Sequence, residues 1–116
     1  MAMENKRISF NEYQKEAYDL ISEDGRKDLI LNGVLGLAGE AGECCDIIKK
    51  VRFQGHALDQ EHLEDELGDV LWYIAEACSG LGITLEECAQ YNLDKLHNRY
   101  PKGFSKNDSI NRKDNK

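Results

Sequence analysis

The sequence predicts an all-α protein of the four-helix bundle class, and three observations lead there. Apolar residues recur at three- and four-residue intervals through four stretches, the spacing of one face of a helix. Two capping boxes, Ser9-x-x-Glu12 and Thr84-x-x-Glu87, mark helix starts at which side chains satisfy orphan backbone amides. The chain holds one proline, Pro101, and only 8% aromatic residues, fewer than a β-rich domain would carry.

The first helix starts at the Ser9 box, runs through Phe10, Tyr13, Ala17, Leu20 and Ile21, and closes at Gly25. The second is expected over residues 27–53, with Ile30, Leu37, Ala41, Cys44, Ile48 and Val51 apolar. Gly33, Gly36, Gly39 and Gly42 fall inside it, each costing about 1 kcal/mol relative to alanine. Glycines at that spacing either let a backbone or ligand approach closely, or break the helix near Gly33. Residues 54–60 read as a connection, with Gly55 past the helix end and Asp59 as the next N-cap.

The third helix covers residues 60–79, with Leu63, Leu67, Val70, Leu71, Ile74 and Cys78 apolar and Leu81 continuing the stripe. Gly80-Leu81-Gly82 ends it. The fourth follows the Thr84 box through Leu85, Cys88, Ala89, Leu93 and Leu96. Asn92 interrupts that stripe, and a buried amide without a partner costs about 1–3 kcal/mol, so it needs a backbone or ligand contact. Lys95 and Arg99 line the adjoining edge, suited either to phosphate oxygens or to salt bridges with the many acids. Residues 1–104 thus form one helical domain, and 105–116 a polar, flexible tail.

The net charge of −7 argues against a nucleic-acid polymer as partner, because a polyphosphate backbone demands a basic surface. A small nucleotide carried with its metal remains compatible. No apolar run reaches the roughly 18 residues of a membrane span, and the polar start of the chain does not read as a signal peptide. A soluble, cytoplasmic protein is expected. Cys44, Cys45, Cys78 and Cys88 form no C-x-x-C pair, which fits a reducing compartment without structural disulfides.

The chemistry concentrates in two acid pairs. Glu40 and Glu43 share a face of the second helix, and Glu66 and Asp69 share a face of the third, at about 100° per residue. Each pair lies beside its apolar stripe. If the stripes pack antiparallel, four carboxylates converge at the rim of the core and repel unless cations sit among them. One such pair is also what a solvated helix face presents; two on matching edges point to a hard divalent cation, Mg²⁺. Lys50, seven residues after Glu43, is placed to line the same face, as is Tyr73, four after Asp69. Trp72 turns away from the acids, toward the core or a subunit contact. His56, His62 and His97 share no helical edge, and no Ser, Cys or His nucleophile is implied.

The runs Gly36-Leu-Ala-Gly-Glu40-Ala-Gly-Glu43, Lys49-Lys50 and Glu66-Leu-Gly-Asp69-Val-Leu-Trp-Tyr73, followed by Asn92-x-x-Lys95-Leu-x-x-Arg99-Tyr-Pro-x-Gly-Phe104, resemble the MazG-like nucleotide pyrophosphohydrolases of the all-α NTP pyrophosphatase superfamily. The resemblance spans roughly residues 29–104. It implies Mg²⁺-dependent hydrolysis of a nucleoside triphosphate between the α- and β-phosphates, giving monophosphate and pyrophosphate. It further implies Glu40, Glu43, Glu66 and Asp69 as metal ligands, with one of them, such as Glu43, orienting or deprotonating water. Lys50 and Lys95 would neutralise the departing pyrophosphate, and the resemblance singles out Asn92 and Lys95 as substrate contacts. Tyr73 and Arg99 are candidates for the same role from their helical positions, beside core packing for Tyr73 and salt bridging for Arg99. The resemblance also implies a nucleotide-binding role for the first helix, with Gln14 and Tyr18 as candidates beside their reading as ordinary helix surface. A homodimer or homotetramer is expected. The alternatives are a phosphoribosyl-ATP pyrophosphatase-like enzyme and a non-catalytic helical interaction module. A di-iron carboxylate bundle would need Glu-x-x-His pairs, which the sequence lacks.

Overall fold

The computed structural model describes residues 7–112, so the first six residues and the last four of the expected tail lie outside it. The fold is all-α, with no strand among the described residues. Its elements are α1 (Phe10–Asp19), α2 (Glu23–Arg26), α3 (Leu29–Phe53), α4 (Gln60–Leu81), α5 (Leu85–Arg99) and α6 (Lys106–Ile110). None of these helices is long and apolar enough to cross a membrane. The chain divides after Leu85 into two compact units.

In the first unit the caps expected at Ser9 and Asp59 form, and Asp28 adds one beyond those expected. The Ser9 hydroxyl accepts from Glu12 N while Glu12 accepts from Ser9 N, closing the box at α1. Asp28 and Asp59 cap α3 and α4 by accepting from Leu31 N and His62 N. The first helix ends earlier than expected, at Asp19. Gly25 instead sits buried inside the separate short helix α2, capped by Ser22. A Cβ at Gly25 would meet Ile21 and Asn32, so the glycine closes an approach of α2 to α3 and does not terminate α1.

α3 is unbroken at Gly33, because Gly33 and Gly36 serve its packing against α4, whereas a Cβ at Gly39 or Gly42 would meet no atom within 4 Å. A Cβ at Gly33 would lie 2.9 Å from Ala77 N and 3.0 Å from Tyr73 O, and one at Gly36 would strike the Tyr73 ring. Gly80, on α4, faces Leu29 and Ile30 in the same way, so α4 continues through it. The helix ends at Gly82, whose φ of 74° suits glycine, with Ile83 N bonding Cys78 O and Gly82 N bonding Ser79 O. The seam is therefore antiparallel, bringing Leu29 and Ile30 beside Gly80 and Gly36 beneath Tyr73. The facing side of α3 differs from the predicted stripe at three places. Ile30, Ala41 and Ile48 are exposed, while Ile47, outside the stripe, is half-buried.

α1 lies along α4. The Trp72 indole N–H donates to Ala17 O at 3.0 Å, so Trp72 is an intramolecular contact. The Gln14 amide donates to Ser79 Oγ and Ile83 O and accepts from Leu85 N at 2.7 Å. Gln14 is thus a clasp between α1 and the end of α4. Only Ala17, Ile21, Ala75, Cys78 and Leu85 form a fully buried apolar core among the described residues, and the only buried charged group is Glu76.

The second unit holds the rest of α5 and the polar stretch after it. Asn92 is exposed, so it carries no buried-amide penalty, and Lys95 and Arg99 are half-buried. Leu93 and Leu96 remain substantially exposed, and the Tyr100 and Phe104 rings meet at 5.0 Å. The stretch that reads as a featureless tail carries α6, begun by the Ser105 hydroxyl accepting from Asp108 N.

Candidate metal centre

The α3–α4 seam delivers three of the four acids to one point. Glu40 from α3 and Glu66 and Asp69 from α4 each offer a carboxylate oxygen, and these oxygens lie within 4.8 Å of one another. The arrangement follows from the packing. Gly36 lets α4 come close, and Glu40 stands one turn further along α3, opposite the first half of α4. All three acids are half-buried.

Their electrostatics are those of crowded like charges. Glu40 is pushed above the ordinary carboxylate range, first by partial burial, then by Glu66 and Asp69, by hydrogen bonding with Glu66, and by Glu43. The lysines nearest in sequence do not relieve this. Lys50 and Lys49 both bind Asp46, at 2.8 and 3.3 Å, and the Asp46 carboxyl is held below its usual range by them. Hard oxygen donors converge here with a spread of about two metal–oxygen bond lengths, so the residues fit a hard divalent cation such as Mg²⁺.

Glu43 stands next to this triad and not within it. It is exposed and lines a pocket of about 330 Å³ with Asp46, Lys50, His56, Asp59 and His62. Lys50 and Glu43 do share a face, as the seven-residue spacing predicts. His56 and His62 share no helical edge, yet they meet here because His56 lies in the α3–α4 connection. That connection is turned by Gly55 (φ 74°) and tied by His56 N to Lys50 O.

Tyr73 packs over Gly36 and stacks on Trp72, with centroids 5.6 Å apart. Tyr13 is a neighbour that periodicity does not single out. Partial burial and the Asp69 carboxylate raise its hydroxyl above the usual phenol range. Tyr13, Gly68, Asp69 and Trp72 line a largely apolar pocket of about 330 Å³ between α1 and α4. Tyr18 lies elsewhere, with the Arg26 guanidinium 4.8 Å above its ring. Asn92, Lys95 and Arg99 belong to α5, in the second unit.

Fold and site together define a helical protein with an oxygen-donor cluster carried on an antiparallel helix pair. A family model described as the MazG nucleotide pyrophosphohydrolase domain matches residues 31–104, and the chain belongs to that family. It is similar to the Gene 37 protein of Mycobacterium phage L5, with 39% identity over 82 residues, covering 67% of this chain and 72% of the relative. No solved structure matches the chain.

Proposed function

We propose that the protein is a Mg²⁺-dependent nucleoside triphosphate pyrophosphohydrolase. It cleaves the α–β phosphate bond of (d)NTPs to give a nucleoside monophosphate and pyrophosphate. The observation that carries this reading is the Glu40–Glu66–Asp69 cluster on the helix pair of a MazG-family chain.

Glu40, Glu66 and Asp69 hold the cation, with Glu43 completing the set from the adjoining turn of α3. Mg²⁺, when bound, neutralises phosphate oxygens and makes a nearby water more acidic. Glu43 is the residue best placed to take the proton of the attacking water, since it borders the cluster and is not closed within it. As the water oxygen bonds to phosphorus, the bridging P–O bond breaks and negative charge passes to pyrophosphate. Lys50, at the edge of the Glu43 pocket, and Lys95 offset that charge. Tyr73, Asn92, Lys95 and Arg99 contact the nucleotide.

The working form is a homo-oligomer, a dimer or a tetramer. α3 leaves Leu31, Val34, Leu35 and Ile48 exposed in single chains, and the protomer alone buries a very small core. The setting is cytoplasmic, matching four cysteines that form no disulfide.

A screen of nucleoside triphosphates and phosphoribosyl-ATP with Mg²⁺, assayed for pyrophosphate, tests the reaction. Wild type should release pyrophosphate and Glu66→Gln should not. An active Glu66→Gln enzyme with an unchanged Mg²⁺ response would overturn the proposal. Light scattering tests assembly, and an active monomer would overturn that part.

A further inference from the structure

Among the described residues the most deeply buried charged side chain plays no part in the proposed reaction. Glu76 on α4 is 2% exposed, and its Oε2 accepts a 2.7 Å hydrogen bond from Nδ2 of Asn32 on α3. A buried carboxylate is costly unless hydrogen-bonded, so this contact is strongly held in one geometry.

Its position gives it a consequence. Asp69 lies seven residues before Glu76 on α4, and Glu40 lies eight after Asn32 on α3, so both acids sit about two helical turns along the same seam. Between these two points the contact runs over Gly33 and Gly36, where α3 offers no side chain to interlock with α4. Such a smooth surface fixes the separation of two helices better than their axial register. One residue of slippage moves a helix by about 1.5 Å, enough to spoil an oxygen cluster of this size. Asn32 is itself exposed, but its Nδ2 also borders Gly25 of α2, where an added Cβ would lie 3.0 Å from it.

We infer that Glu76, through its hydrogen bond with Asn32, is a positioning residue that sets the register of α3 against α4 and thereby the spacing of Glu40 with Glu66 and Asp69. The inference rests on the metal-centre reading above. Outer contacts that orient metal ligands typically change affinity about 10- to 100-fold when lost.

The test is the Mg²⁺ midpoint for thermal stabilisation, measured beside pyrophosphate release, for wild type, Asn32→Ala, Glu76→Ala and Glu76→Gln. The alanine variants should raise the Mg²⁺ midpoint about tenfold or more. Glu76→Gln, which retains a carbonyl acceptor for Asn32, should recover most of that loss. Where an alanine variant does not fold, Glu76→Gln against Asn32→Ser supplies the comparison, with serine too short to reach. Variants that lower the melting temperature in the absence of Mg²⁺ but leave the midpoint at the wild-type value would overturn the inference and leave the catalytic reading standing. A wild-type protein with no Mg²⁺ response would overturn both.

Discussion

Glu40 and Glu66 reach from neighbouring helices to place carboxylate oxygens within 4.8 Å of each other, two acids held together where water alone would separate them. With Asp69 beside them, the folded apo protein carries a repulsion that a divalent cation would remove. Chelator should therefore abolish pyrophosphate release and lower the melting temperature. Mg²⁺ at a hundredfold excess over its dissociation constant should stabilise by about 2.7 kcal/mol. Calorimetry over a wide Mg²⁺ titration checks this, and a flat response counts against the site.

Glu43 and Glu66 should separate on substitution. Glu66→Gln removes a member of the triad, so the Mg²⁺-induced melting shift and turnover should both collapse, turnover by at least about a hundredfold. The apo form should hold or gain stability, since one like-charge contact has gone. Glu43→Gln should lose comparable turnover but only part of the melting shift, because Glu43 borders the triad and does not belong to it. Parallel kinetics and melts of the two variants distinguish them.

Lys50 is tied to Asp46, which gives it a measurable signature apart from catalysis. Hydrogen bonding from Lys50, then Lys49, lowers the Asp46 pKa. The stability this pair contributes is present above the unfolded-state pKa of aspartate and is lost as pH falls through the lower folded value. Lys50→Ala should flatten the acid limb of a metal-free melting profile taken from about pH 5 to about pH 3. It should also slow pyrophosphate release without moving the Mg²⁺ midpoint.

The glycines of α3 should divide into two classes. Gly36→Ala places a methyl group into the Tyr73 ring and should destabilise the helix pair and weaken Mg²⁺ binding. Gly39→Ala meets no atom within 4 Å in the single chain and should stabilise α3 by about 1 kcal/mol. Thermal melts of both variants decide it. Loss of the Gly39→Ala gain at high protein concentration would place a partner's backbone over that residue.

Much of this arrangement was legible before any coordinates. Local rules carry these helix ends, because Ser9, Asp59 and Gly82 act through bonds to residues a few positions away. The pairing of acids was legible for the same reason, as spacing alone sets Glu40 with Glu43 and Glu66 with Asp69 on matching edges; that Glu43 stands beside the cluster and not within it was not. What periodicity misses depends on partners distant in sequence. It cannot distinguish Ile47 from Ile48 at a stripe's edge, and it offers no sign that Tyr13 faces Asp69 or that the connection brings His56 to His62. Gly33 suggested a break because its cost is local, whereas its compensation, the approach of Ala77, lies 44 residues away.

The clustered acids come from two helices that follow one another in the chain, joined by a short, capped connection. Such a hairpin zips up from its own turn with little loop-closure entropy to overcome. In that order the repulsion among Glu40, Glu66 and Asp69 is met early, since these acids lie nearer the turn than the contacts of Gly33 with Ala77 and of Gly80 with Ile30. A cation that gathers all three acids would then act on the closing of the hairpin as well as on its lifetime, speeding folding besides slowing unfolding.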